Sequence, residues 1–374
     1  VAHRLVAASA LVVILVVIAA YLAAPAQGPG ALAVDSPDPG YGETPGLGVG
    51  AGTAVLPSGS SGIPASPVPT TDWQLATPPP TQPIALGAFI PGAASDPSRI
   101  DAYARLTGTM PGIVMWYQAW AGPFADFSTR APDAISARGS MPMISWEPSA
   151  GPTNDPAWSL RTIVDGSHDA YIHRWTRAVA AWGHPIYVRP MYEMNGWWAP
   201  WCAAVNGNSA TAFVTAWRHI VDIARAEGAT NIRWVWSPNV DNDGLGVPFA
   251  DLYPGDGYVD WVALDGFNRG TSWTSSHWVD IHRIFGGSIT RLRQVTAKPL
   301  LLGETGSSEA GGDKAAWIRS LADIPIDLPD IRGIVWFDKL ETEVGIDWRV
   351  NSSADALSAF RTLAASPAFR GQLP

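Results

Sequence analysis

Eight short apolar runs recur between residues 84 and 339, and helical patterns separate them. They read IALGAFIPG (84–92), GIVMWYQAW (112–120), MPMISWEP (141–148), PIYVRPMYEMNG (185–196), NIRWVWSPN (231–239), VDWVALDGFN (259–268), KPLLLGETG (298–306) and IRGIVWFDK (331–339). Short apolar runs bounded by turn residues read as buried strands. In DAYIHRWTRAVAAWG (169–183), helical spacing puts Tyr171, Trp175, Val179 and Trp182 on one face. In SATAFVTAWRHIVDIARAEG (209–228) it groups Phe213, Trp217, Ile220 and Ile223, and Gly228 supplies a helix stop. Eight strands alternating with helices predict an α/β fold, a (β/α)8 TIM barrel. An open doubly wound sheet is the competitor. It would more often carry a glycine-rich phosphate loop after its first strand, and GAFIPGAAS (87–95) is a poor one.

Each run is aliphatic at its start and polar or aromatic at its end. The ends hold Trp146 and Glu147, Glu193 and Asn195, Asn239, Asp265 and Asn268, Glu304, Trp336 and Asp338. In a (β/α)8 barrel, the C-terminal strand ends carry the chemistry. The stretch IYVRPMYEMNGWWAPW (186–201) has one acid, Glu193, among prolines, methionines and aromatics. Strand alternation predicts that Tyr187, Arg189, Met191 and Glu193 share a face, as do Leu300, Leu302 and Glu304. With those faces inward, both glutamates reach the mouth, from the fourth and seventh strands on opposite sides of the ring. Pro190 removes a ladder donor, so a local bulge that re-aims Glu193 is expected.

Paired carboxylates across a cleft suit glycosidic cleavage. One protonates the leaving oxygen while the other attacks the anomeric carbon, at a separation of about 5–5.5 Å for retention. The apolar collar predicts Glu193 as the protonated acid. Glu304 is expected to be ionised, with Arg189 as its nearby cation. Either glutamate alone would as readily cap a helix or pair with an arginine, and the case rests on both together. Trp116, Trp120 and Trp146 are sugar platforms or core. Glu147 binds a sugar hydroxyl or forms a salt bridge. Asp265, Asp338, Asn195 and Asn239 are candidates for holding hydroxyls.

The chain ahead of the barrel has a different texture. Residues 5–24, LVAASALVVILVVIAAYLAA, carry no charge, and about 20 apolar residues span a bilayer. This predicts a membrane anchor or a secretory signal over 1–24, with Ala31-Leu32-Ala33 as a possible cleavage site. Residues 25–83 hold 13 of the 33 prolines and 10 of the 37 glycines, with no Lys or Arg. Such a segment buries too little to offset its ordering entropy, so a disordered linker is expected there, with the catalytic-size domain over 84–374. The predicted location is extracellular, secreted or tethered to the outer face of the cell membrane. A net charge of −9 disfavours a nucleic-acid partner. Cys202 is the one cysteine, so no intrachain disulfide forms, and the scattered histidines give no metal-ligand spacing. No cofactor is expected.

RPMYEMNGWWAPW (189–201), with PMISWEP (142–148), VDWVALDGFN and KPLLLGETG, resembles glycoside hydrolase family 26 over roughly residues 84–365. These are β-mannanase-like and β-glucanase-like enzymes of the retaining (β/α)8 clan. The resemblance implies Glu193 as acid/base and Glu304 as nucleophile. It implies Trp336 as the aromatic floor under the sugar, and Trp198 and Trp201 as an aromatic wall beside the acid/base. Arg189, Tyr192, Asn195, Trp146, Trp120, Asn239, Asp265 and Phe267 complete the expected substrate-binding set. Two positions depart from the family pattern. Tyr192 stands where His usually precedes the acid/base, and Phe267 stands where the sixth strand commonly offers a Tyr hydroxyl to the nucleophile. The expected activity is retaining, endo-acting hydrolysis of an extracellular β-linked polysaccharide, β-mannan or β-glucan. The alternatives are a carbohydrate-binding or glycan-assembly module that has lost turnover, and a transglycosylase.

Overall fold

A computed structural model describes residues 82–150, 155–240, 246–273 and 276–374. The expected anchor or signal at 1–24 lies outside the described residues, as does the expected linker apart from its last two positions. All eight apolar runs form strands: β1 (Ala85–Phe89), β2 (Ile113–Ala119), β3 (Met141–Glu147), β4 (Ile186–Pro190), β5 (Ile232–Trp236), β6 (Trp261–Asn268), β7 (Leu300–Ser307) and β8 (Ile331–Phe337). They pair in chain order into a closed parallel barrel, with no open sheet edge. Helices fill the intervals: α1 (Ser98–Thr107), α2 (Arg130–Ser136), α3 (Leu160–Val164), α4 (Asp169–Trp182), α5 (Ala210–Ala226), α6 (Phe249–Leu252), α7 (Ile281–Arg293), α8 (Lys314–Ser320), α9 (Ile324–Asp327) and, after β8, α10 (Ala354–Ala365). A two-stranded ribbon, β9 (Leu340–Glu341) and β10 (Ile346–Asp347), follows β8 at the barrel mouth. Among the described residues, no helix is long and apolar enough to cross a membrane.

Helix ends follow local chemistry. The Ser209 hydroxyl accepts from the Ala212 amide at the start of α5, and Asp280 does the same for Arg283 at the start of α7. Gly183 follows α4 at φ 74°, a left-handed stop that costs glycine little. The buried stripe of α4 is Ile172, Trp175, Thr176 and Val179. Tyr171 and Trp182, expected on that stripe, flank it half-buried. Each turns its polar tip to a partner: the Tyr171 hydroxyl donates to the Ala125 carbonyl, and the Trp182 indole N–H donates to Asp133.

Strand alternation divides the core into two layers. One set of side chains, including Ile113, Met115, Met143, Tyr187, Val235, Ala263, Leu301 and Val335, packs inside the barrel. The other set, including Val114, Ile144, Val188, Leu264, Leu300, Leu302 and Ile334, packs against the helices. Burying each such aliphatic side chain contributes roughly 1.5–3 kcal/mol. The C-terminal tail closes the lower end. Leu373 joins the inner layer, and the Tyr187 hydroxyl donates to the Pro374 carbonyl at 3.2 Å. The other end is the mouth.

Candidate active site

Two irregularities aim the two glutamates. On β7, Leu302 pairs with Leu264 and Glu304 with Asp265, so Gly303 is an extra residue, a β-bulge. Leu300 and Leu302 face the helices, not the barrel interior as expected. The bulge reverses the alternation and turns Glu304 inward. A Cβ at Gly303 would meet Asp265 Oδ1 at 2.5 Å and Arg189 Nη1 at 3.0 Å, so only glycine fits. On β4 the strand ends at Pro190, and its pairing with β3 shows no register shift. The expected bulge is absent because a terminal proline owes the ladder no N–H. Instead, Met191 and Glu193 adopt left-handed backbone at φ 50° and 51°. Such non-glycine positions cost about 1–3 kcal/mol each and persist only where surroundings fix them. Met191 consequently points into the outer layer, away from the face it was expected to share with Tyr187.

Several bonds hold this turn. The Met191 amide donates to the Trp146 carbonyl at 3.2 Å, and the Glu193 amide to the Ser237 carbonyl at 2.6 Å. The Trp201 indole N–H donates to the Tyr192 carbonyl at 2.7 Å, and the Ala203 amide to the Met194 carbonyl at 2.9 Å. Both Glu193 oxygens are addressed. Asn239 Nδ2 donates to Oε1 at 2.5 Å and Trp198 Nε1 to Oε2 at 2.7 Å. Trp198 lies flat over Gly196, where a Cβ would come within 2.5 Å of the indole. The Asn195 side chain exchanges two bonds at 2.9 Å with the Asn239 main chain, donating to its carbonyl and accepting from its N–H, which fixes the backbone from which the Asn239 side chain reaches Glu193. Burial, then the charge of Glu304, pushes the Glu193 carboxyl up from its ordinary value to about 7, against the two donated hydrogen bonds.

Glu304 sits in the opposite setting. Fully buried Arg189 donates to its Oε1 through Nη2, and through Nη1 to both Asp265 oxygens at 2.9 Å. Arg189 Nε donates to Ser145 Oγ at 2.8 Å, and Nη1 also reaches Ser237 Oγ at 3.0 Å. Burial opposes the guanidinium charge, but the Asp265 and Glu304 carboxylates hold it above its ordinary range. The Tyr117 hydroxyl donates to the same Oε1 of Glu304 at 2.6 Å. The structure thus brings Glu193, Asn195, Trp198, Asn239 and Glu304 together at the mouth.

Other expected substrate contacts are enclosed. Arg189 and Asp265 are fully buried with their polar atoms engaged by protein, so they brace Glu304 instead of meeting a sugar. Trp146 stacks on Trp175 with ring centroids 4.1 Å apart, in the layer beneath the helices. Trp120 is buried against Trp146 at 4.8 Å. Both leave the cleft because outward-facing strand positions belong to the helix layer. Trp336 is buried too. It packs against Phe360, and its indole N–H donates to the Trp348 carbonyl at 2.8 Å, so it is not an open floor. Trp201 is spent on the Tyr192 carbonyl. Tyr192 is buried, its ring against Arg189 at 4.7 Å and its hydroxyl donating to Glu147 at 2.7 Å. Glu147, expected on a sugar or in a salt bridge, accepts that hydroxyl instead, and burial pushes it up to about 8. Asp338 accepts the Val350 amide at 2.8 Å and so anchors the loop behind β10.

The aromatic surface of the mouth comes from the inner layer. Phe89, Tyr117, Phe267, Phe337 and Trp348 cluster there, with Tyr117 and Phe267 half-exposed. Phe267 packs on Trp348 at 4.9 Å. The hydroxyl at Glu304 is supplied by the second strand. Sequence reasoning passed over Tyr117 for its neighbour Trp116, although Tyr117 shares parity with the inward Ile113 and Met115. It also missed Ser145 and Ser237, small polar residues whose part shows only in the barrel interior.

Two carboxylates in contrasting environments at a barrel mouth are what cleavage of a glycosidic bond requires, and the relatives of this chain are of that class. Residues 164–319 match the model of glycosyl hydrolase family 26. Endoglucanase H of Acetivibrio thermocellus is 38% identical over 286 residues, covering 74% of this chain and 30% of that protein. Mannan endo-1,4-beta-mannosidase A and B of Caldalkalibacillus mannanilyticus is 36% identical over 91 residues, covering 23% of this chain and 17% of that protein. The chain therefore spans less than a third of either relative's length. Among solved structures, the GH26 beta-mannanase from Bacteroides ovatus superposes with a TM-score of 0.58 at 20% identity, over 77% of this chain and 90% of that one. A modular endo-beta-1,4-mannanase from Cellulomonas fimi gives 0.57 at 21% identity, over 77% and 71%. These structural likenesses carry the fold alone. With the family match and the longer relative, the chain belongs to glycosyl hydrolase family 26.

Proposed function

We propose that the barrel is a retaining, endo-acting glycoside hydrolase that cleaves a β-linked polysaccharide outside the cell. The observation that carries this reading is the contrast between its two mouth carboxylates. Glu193 is pushed up to about 7 and keeps a proton to give. Glu304 is gripped as a carboxylate by Arg189 and Tyr117. In the first step Glu304 attacks the anomeric carbon, and the glycosidic C–O bond breaks as Glu193 protonates the leaving oxygen. In the second, Glu193 takes a proton from water, the water oxygen attacks the same carbon, and the bond to Glu304 breaks. β-Glucan is the favoured substrate over β-mannan, because the relative named as an endoglucanase matches across most of the barrel while the mannosidase match is shorter. The apolar segment at 5–24 supports export or tethering.

The test is product analysis of the full chain on mixed-linkage β-glucan, cellulose, β-mannan and xylan. The expected result is a rapid fall in viscosity with few new reducing ends, products of retained anomeric configuration by NMR, and no activity for Glu193→Gln or Glu304→Gln. Inverted products, or a glycan bound without any cleavage, would overturn the reading.

A further inference from the structure

We propose that Tyr117, on the second strand, is a positioning residue that helps Glu304 depart from the glycosyl-enzyme; this rests on the double-displacement reading above. Two donors, the Tyr117 hydroxyl at 2.6 Å and Arg189 Nη2, converge on Oε1 of Glu304. With Oε1 engaged by both donors, the attacking atom is assigned to Oε2, and Oε1 becomes the carbonyl oxygen of the ester. Tyr117 is itself fixed. Its ring packs edge-on against Phe89 at 5.0 Å and lies tilted against Tyr192 at 5.7 Å. Phe267, at the end of the sixth strand, has no hydroxyl to offer.

The direction of the effect follows from the charge on Glu304. That charge is a full negative in the free enzyme, is neutralised as the Oε2–C1 bond forms, and returns as the bond breaks. A hydrogen bond to an ionised acceptor is about twice as strong as one to a neutral acceptor. The Tyr117 bond therefore stabilises the free enzyme and the second transition state more than it stabilises the ester. Only interactions stronger in a transition state than in the state before it accelerate a step. Tyr117 thus speeds the second step and does little for the first. Removing the hydroxyl makes the glycosyl-enzyme accumulate.

The experiment compares wild type with Tyr117→Phe, which keeps the ring, on the 2,4-dinitrophenyl β-glycoside of the shortest oligosaccharide that wild type cleaves. Losing one hydrogen bond to a charged group predicts a fall in kcat of about tenfold or more, a parallel fall in KM, and kcat/KM within about threefold of wild type. Acid-quenched Tyr117→Phe protein should carry one glycosyl unit on Glu304 by peptide mass spectrometry, after a burst of dinitrophenolate. An equal loss of kcat and kcat/KM at unchanged KM would mean that the hydroxyl serves the first step or only the packing, and would overturn the proposal. Unchanged kcat would overturn it as well. A wild-type enzyme that inverts configuration, or never labels Glu304 under any condition, would instead defeat the double-displacement reading.

Discussion

Trp198 turns back five residues to donate its indole N–H to Glu193 Oε2 at 2.7 Å, while Asn239 holds Oε1 from the end of the fifth strand. Both bonds favour the ionised form of Glu193. Burial and the charge of Glu304 favour the protonated form and prevail, leaving the group at about 7. One carboxyl is thereby kept close to the pH at which an acid in one step can serve as a base in the next.

This balance sets a pH dependence. In the proposed double displacement the first step needs Glu193 protonated, so kcat/KM should hold below about 7 and decline as pH rises through that value. In Trp198→Phe, one bond to the ionised form is lost, so the alkaline limb should move to higher pH. Activity at the optimum should fall by about tenfold, the weight of one hydrogen bond to a charged group. The check is kcat/KM against pH for both proteins. An alkaline limb that stays put, or moves down, would show that the indole does not govern this proton.

Gly303→Ala should damage stability and activity together. The added methyl would lie 2.5 Å from Asp265 Oδ1 and 3.0 Å from Arg189 Nη1, where both groups are fully buried. Overpacking a close-packed interior costs about 1–3 kcal/mol, and here the strain falls on the groups that hold Glu304. The expected outcome is a thermal midpoint lower by several degrees and a loss of kcat exceeding that of a remote cavity mutant of equal stability. An alanine variant with wild-type kcat would show that the bulge does not need glycine.

The barrel was legible because its strands and helices alternate over the whole domain and the aliphatic half of each strand is unambiguous. The placement of the glutamates at strand ends was legible for the same reason. Alternation failed where the backbone stops being regular. It set Leu300 and Leu302 on the wrong face, and the Gly303 bulge returned Glu304 to the face it was expected to occupy. It also ran on past Pro190, where left-handed turns at Met191 and Glu193 take over. The tryptophans misled for a different reason. An indole fills a helix–sheet layer as well as it stacks on a sugar, and only the three-dimensional packing separates Trp146 and Trp336, which are buried, from half-exposed Trp198. The Arg189–Glu304 pairing was foreseen. The four-partner network around Arg189 was not, since Ser145 and Asp265 come from two other strands and Ser237 from just past the end of a third.

Trp146→Ala tests the division between packing and binding. Trp146 is fully buried on Trp175, and its indole N–H donates to the Tyr171 hydroxyl at 3.0 Å. Truncating a buried tryptophan to alanine costs about 3–5 kcal/mol. Chemical denaturation should report that loss, with KM for the polysaccharide unchanged at a temperature where the variant stays folded. A selective rise in KM without loss of stability would return Trp146 to the cleft.

Glu147 should make the fold less stable as pH rises. Burial lifts its carboxyl from an ordinary 4.5 to about 8, in spite of the hydrogen bond from Tyr192. In the unfolded chain Glu147 ionises near 4.5, while in the native protein it stays protonated until about 8. A group raised on folding contributes stability that is full below the unfolded value and is lost as pH climbs to the folded one. Glu193 acts in the same direction up to about 7. Glu147→Gln cannot ionise, and its amide oxygen still accepts the Tyr192 hydroxyl. The variant should therefore match wild type near pH 4 and become more stable than wild type by pH 8, by on the order of a few kcal/mol. Urea midpoints measured at both pH values decide it. If the two proteins lose stability in parallel, Glu147 is already ionised in the folded state, and its bond with Tyr192 is a charged one.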